Sequence, residues 1–233
     1  MKILSVKLFL LLVLIAGHAG AQNFEGTIKY SLKISLPEKQ RSEMQQYAMM
    51  MPTGFEITTK NSLSKMKLLT TGGTMMELIS EHTKKENFML DHTNKKAYKL
   101  PEEPKSETAK SDSKPKVTKT SETETIAGYK CTKYIIEEPN SKSVQHIWTT
   151  KDIKIPVGAF SNSFGNKSGK MMMIDGVEGL PLKMIVTEHG TTSEVTATAV
   201  AKGKVNEEDL KVPSGYAVEP FDPAMIGRMM MGK

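Results

Sequence analysis

The chain has 233 residues, 38% of them hydrophobic, with a formal charge of +6 and one cysteine. That length suits one all-β domain or two small ones and is enough to bury a core without staples. A lone thiol excludes an intramolecular disulfide, and lysines scattered along the chain form no patch for nucleic acid.

The first segment, MKILSVKLFLLLVLIAGHAGA, has the layout of a secretory signal peptide over residues 1–21. Lys2 and Lys7 supply the positive start, and Leu8 to Ala16 the apolar core. Ala19-Gly20-Ala21 supplies an A-x-A cleavage site. The apolar run is shorter than the ~18 residues a membrane span needs. Cleavage between Ala21 and Gln22 predicts a product in the periplasm or secreted medium, with no cysteine there to carry a lipid. Residues 22–224 then read as a single β-rich domain, and 225–233 as a flexible Met-rich tail.

Next comes NFEGTIKYSLKISLP, in which Phe24, Ile28, Tyr30, Leu32 and Ile34 share even positions and polar residues fill most of the odd ones. This alternation predicts a strand with one dry face. Alternation alone leaves open whether that face meets a packed core or a cavity.

Met44, Tyr47, Ala48 and Met51 follow at i, i+3, i+4 and i+7, the spacing of one helical face, with Pro37 opening the run and Pro52 stopping it. A short amphipathic helix is expected there, with a long irregular hairpin loop as the competing reading. From Gly54 the pattern returns to strands through FEITTKNSLSKMKLL, TMMELISEH and ENFMLDHTNKKAYKL. Between Glu102 and Thr125 the chain has no aromatic and almost no apolar residue, which predicts a disordered insert. Strands resume with TIAGYKCTKYIIEE, SVQHIWTTKDI, LPLKMIVTEHG and TTSEVTATAVAKGKV, and a short acidic helical turn leads to a last extended segment. The sum is a mainly antiparallel β protein.

Catalytic patterns are missing from the sequence. There is no G-x-S-x-G elbow, and His82, His92, His146 and His189 stand in no H-E-x-x-H arrangement. No catalytic residue, metal ligand or cofactor is therefore assigned, and the chain is not read as an enzyme. Cys131 lies among strand-forming residues and is expected to be buried and inert, the alternative being a reactive or dimer-forming thiol. The methionines cluster at Met49 to Met51, Met75-Met76, Met171 to Met173 and Met229 to Met231. Thioethers select Cu(I), which makes copper binding one reading; pliable apolar packing or lining is the other.

IAGYKCTKY, IWTTKDI, GLPLKMIV and LKVPSGY together resemble a family of exported Gram-negative proteins known only as a domain of unknown function, itself similar to LolA/LolB-type periplasmic lipoprotein carriers. The resemblance runs from about Phe24 to Phe221. It implies a half-open antiparallel β-barrel with a short helix or loops over one mouth of an apolar cavity. Gly128, Trp148, Pro181, Pro213 and Gly215 match its pattern as turn and packing residues. The insert and the methionine clusters depart from it, and the only arginines are Arg41 and Arg228. What carries over is binding of an apolar or lipid-like ligand by a monomeric, non-enzymatic periplasmic protein. Phe24, Ile28, Tyr30, Leu32 and Ile34 would form the wall, and Met44, Tyr47 and Met51 the lid. Copper binding through methionines and a filled-barrel interaction module are the alternatives.

Overall fold

The computed structural model describes residues 24–44, 48–49, 51–101, 115–138, 143–155 and 174–223. Within them the chain forms β1 (Gly26–Ser35), α1 (Glu38–Met44), β2 (Pro52–Lys60), β3 (Leu63–Thr70), β4 (Gly73–Glu81), β5 (Glu86–Asp91) and β6 (Lys96–Lys99). It continues with β7 (Lys116–Ile126), β8 (Tyr129–Glu137), β9 (Val144–Thr150), β10 (Leu180–Glu188) and β11 (Thr191–Lys202). A 3-10 turn (Glu207–Leu210) and β12 (Ala217–Pro220) end the fold. All the strands join one sheet in the order β12-β6-β5-β4-β3-β2-β1-β11-β10-β9-β8-β7. Every pairing is antiparallel except β12 with β6. The protein is mainly β, and its sheet is a half-open barrel whose two edges, β12 and β7, do not meet.

Extra residues bend the sheet. Register shifts fall at Lys29/Tyr30 between β1 and β11, at Leu68/Leu69 between β3 and β4, and at Pro181/Lys183 between β10 and β9. Each shift increases local twist and turns the ladder toward the concave side. The curvature is then held across the hollow. Tyr30 Oη donates to the Pro181 carbonyl oxygen at 3.0 Å, passing over β11, where the residue opposite Tyr30 is the small Ala197. The Tyr30 ring also stacks on Phe55, with centroids 4.6 Å apart. Gly54 makes this approach possible, because a Cβ there would lie 2.3 Å from the Tyr30 carbonyl oxygen.

The concave face is filled at its lower end. Ile28, Tyr30, Phe55, Ile57, Met66, Leu78, Met89 and Tyr98 meet Ile136, Ile147, Leu182, Met184 and Ala197 in one cluster. Phe24 joins it just before β1, its N–H bonded to the Lys154 carbonyl at 2.7 Å. On the convex side of β4 to β6, Ile79, Leu90 and Ala97 are covered by Val212 and Tyr216 of the C-terminal segment.

Two expectations are corrected. Residues 116–125 are not part of a disordered insert; they belong to β7, while 102–114 lie outside the described residues. An edge strand needs only one ladder, and β8 supplies it, reinforced by Lys116–Glu137 and Glu122–Lys133 pairs at 2.8 Å each. Threonine-rich, charge-studded sequence suits such an edge and lacks only the apolar content of an interior strand. The helical run is also shorter than its spacing predicts. The α-helix ends at Met44, Ala48 and Met49 form a separate 3-10 turn, and Met51 leads directly into β2. Seven residues of polar sequence, EKQRSEM, give little helical drive of their own.

The burial gradient along β1 yields a prediction. Ile28 is fully buried, whereas Ile34 is only half-buried. Ile28→Asp should cost at least about 3 kcal/mol or prevent folding, because an unpaired charge is buried. Ile34→Asp should cost only about 1 kcal/mol. Urea unfolding of the two variants beside the wild type measures the difference.

Candidate functional site

Above the sealed region, the same concave face opens. The hairpin of β10 and β11 turns at His189-Gly190, both with positive φ (50° and 80°), the combination a two-residue turn of this hand requires. Counting back from that turn, Glu188 faces Thr191, Val186 faces Ser193 and Met184 faces Val195. These six residues and His189 line a cavity of about 380 Å³. That volume lies in the lower range of small-molecule pockets.

The register extends the surface to both sides. Leu32 and Ile34 of β1 stand opposite Val195 and Ser193, and Ile147 and Gln145 of β9 stand opposite Met184 and Val186. One row therefore runs Ile34, Ser193, Val186, Gln145, Ile136 across five strands, and the row below it runs Leu32, Val195, Met184, Ile147, Tyr134. Leu32, Ile34 and Val186 are half-buried. Pro37 lies against the hairpin turn, since a Cβ at Gly190 would meet its Cγ at 3.4 Å. The chain thus enters α1 beside the cavity mouth.

Four of the seven lining residues are polar: Glu188, His189, Thr191 and Ser193. Glu188 and His189 form an exposed rim pair, with Nδ1 and Oε1 3.7 Å apart. Gln145 is buried, and its Oε1 is the one fully enclosed side-chain nitrogen or oxygen without a hydrogen-bond partner among the described residues.

The residues expected from sequence are divided between core and groove. Phe24, Ile28 and Tyr30 lie in the filled core, while Leu32 and Ile34 adjoin the cavity. Met44 closes α1, Met51 is half-buried just before β2, and Tyr47 lies outside the described residues. Met184, Val186, Glu188, His189, Thr191, Ser193, Val195 and Gln145 were not singled out by sequence. The signal was present in TEHGTT: a two-residue turn at His189-Gly190 pairs every second residue on either side into one face.

Pattern positions other than these take structural roles. Trp148 is held between Lys183 Nζ (4.8 Å) and Lys133 Nζ (5.4 Å), and each lysine also binds a β7 carboxylate, Glu124 or Glu122. Gly128 and the preceding Ala127 both take positive φ (86° and 49°) in the β7–β8 turn. Among the described residues no three His, Cys, Asp or Glu side chains gather as a metal site. Met171 to Met173 and Met229 to Met231 lie outside the described residues.

The fold and the groove define a half-open β-barrel with a small apolar recess at one end of its concave face. The chain belongs to the family described as Domain of unknown function (DUF4412), whose profile matches residues 21–216. Comparison with curated proteins finds no match. Among solved structures, that of PNGF-II is similar at 18% identity and a TM-score of 0.47, covering 88% of this chain and 33% of the other. The present chain therefore spans about a third of that protein's chain. The structure of MucB in complex with MucA(peri) aligns at 11% identity and a TM-score of 0.46, covering 85% and 57% of the two chains. LprF from Mycobacterium bovis aligns at 7% identity and a TM-score of 0.32, covering 77% and 89%.

Cys131 is buried and unpaired, its Sγ 3.5 Å from the Tyr129 carbonyl oxygen. Burial, with the nearby Glu124 carboxylate, pushes its thiol up from 9.0 to about 11. Because the folded pKa is the higher one, the unfolded state loses its proton first, and stability contributed by this group falls as pH rises from about 9 toward 11. A maleimide at pH 7 should label Cys131 slowly in the native protein and rapidly in urea. Comparable rates in the two states would contradict its burial.

Proposed function

We propose that this is a non-enzymatic periplasmic protein that shelters an apolar or lipid-like molecule in the upper half of its curved sheet. One observation carries the reading. The even face of β1 is sealed at Ile28 and Tyr30 but half-exposed at Leu32 and Ile34, where it adjoins the apolar floor formed by Met184, Val186 and Val195. A face that is packed solid at one end and left open at the other is suited to hold a flexible chain, with the sealed end as its stop. Ligand pockets combine apolar walls with polar anchors, and this lining joins Met184, Val186 and Val195 to Glu188, His189, Thr191 and Ser193. The entrance to α1 beside the mouth supports a lid role for the segment between β1 and β2, with Met51 at its far end. Export to the periplasm rests on the signal-like residues 1–21.

The test is binding by the folded protein. An environment-sensitive apolar dye such as N-phenyl-1-naphthylamine should bind saturably. Val186→Asp, which places a charge on the half-buried floor, should weaken that binding at least about fivefold while leaving cooperative unfolding intact. Native mass spectrometry of protein purified without detergent should show a retained small molecule of lipid mass. A folded wild type that binds no dye would overturn the reading.

A further inference from the structure

The groove's lining changes character along the β10–β11 hairpin. At its inner end Met184 faces Val195, and both pack into or against the sealed core. Next on the same face Val186 stands opposite Ser193, and at the mouth Glu188 stands opposite Thr191, beside His189. A polar head pushed to the inner end would be stripped of water against Met184 and Val195. At the turn it meets polar side chains and solvent, since Glu188 and His189 are exposed. An occupant that carries a head group therefore lies with its tail inward and its head at His189-Gly190.

The mouth also has a sign. Glu188 supplies a carboxylate, which only accepts hydrogen bonds, and the lining holds no lysine or arginine. Together with His189, 3.7 Å away, it makes a pair that is negative or neutral and never positive. The helix that starts beside the mouth, α1, has the sequence EKQRSEM, whose two acidic and two basic residues add no net charge. Its Arg41 guanidinium is turned to the Leu36 carbonyl oxygen, to which it donates at 3.4 Å.

We infer that the groove takes a single-chain amphiphile tail-first, and that the head at the turn is a cationic or uncharged hydrogen-bond donor, an ammonium or a polyol, received by Glu188 and the Thr191 and Ser193 hydroxyls. The inference rests on the carrier reading above and specifies its ligand. A cavity of about 380 Å³ is at the small end of ligand sites, which suits one chain. Ammonium and polyol heads share the chemistry that matters, N–H or O–H groups offered to a carboxylate. An anionic head brings only acceptors and a charge of the same sign as Glu188. Because Glu188 is exposed, solvent screens it, and the discrimination is up to about fivefold, the range of an exposed charge pair.

The experiment compares dodecylammonium, monolauroylglycerol and laurate by displacement of the bound dye at pH 7.5, each below its critical aggregation concentration. Wild type should bind the first two about two- to fivefold more tightly than laurate. In Glu188→Gln the advantage of dodecylammonium should shrink, and in Glu188→Lys laurate should overtake it. Glu188 is exposed, so both variants should keep the wild-type melting temperature. Orientation has its own readout: the lauroyl amide of a nitroxide amine, with its spin label on the head, should broaden the amide signals of His189 and Gly190 more than those of Met184 and Val195. Laurate bound as tightly as the others by wild type, an order unchanged in Glu188→Lys, or the reverse broadening pattern overturns the head assignment and leaves the carrier reading standing. So does a laurate preference abolished by Arg41→Gln, which would place an anionic head on α1. Failure of all three to displace dye, or of the dye itself to bind, overturns the carrier reading too.

Discussion

Tyr30 reaches over β11 to the Pro181 carbonyl, and the roll of the sheet depends on that contact. Pro181 is buried, the β10–β9 ladder shifts register beside it, and a buried carbonyl oxygen needs a hydrogen-bond partner. The phenol supplies the partner from a strand that is not a neighbour. For the geometry to work, Ala197 must be small, Gly54 must lack a side chain, and Phe55 must lie flat against the ring. Burial raises the pKa of the Tyr30 phenol, which keeps it protonated as a donor. These residues come from four separate strands, and their demands on one another make the curvature specific.

The same contact explains where the hollow can be. Below it, side chains from β1 to β6 meet those from β8 to β11 and exclude solvent. Above it, the tie is gone, and the facing residues on β10 and β11 are Val186 with Ser193 and Glu188 with Thr191. The cavity is thus the region the strap does not reach. Its floor is continuous with the core and shares Met184 and Val195 with it, so a chain lying there extends the packed interior.

Much of this was legible in the residues. The alternation of Phe24 to Ile34 correctly marks one dry face, and the hairpin turns stand out as short polar interruptions. What the alternation cannot encode is that one face passes from sealed to open between Tyr30 and Leu32. That change depends on β10 and β11, whose residues lie far along the chain. β7 was obscured for a different reason. Composition measures how much surface a segment can bury, and an edge strand held by lysine–glutamate pairs buries little. The helix was overstated because its apolar spacing runs on through Ala48 and Met51, which are not α-helical.

The order of the strands also governs when the protein can take shape. β2 to β6 form a simple meander, each strand pairing with its successor through a short turn, and β8 to β11 are likewise sequential neighbours. The centre of the sheet is different: β1 pairs with β11, so Gly26 must find Lys202. β12 then returns to lie parallel to β6, well back in the sequence. Local pairings form quickly, whereas closing so long a loop comes late and slows folding. The first strand to leave the ribosome therefore waits for nearly the last. Until residue 202 has been made, the chain is two half-sheets without a common interior, each exposing the apolar face that the other will cover.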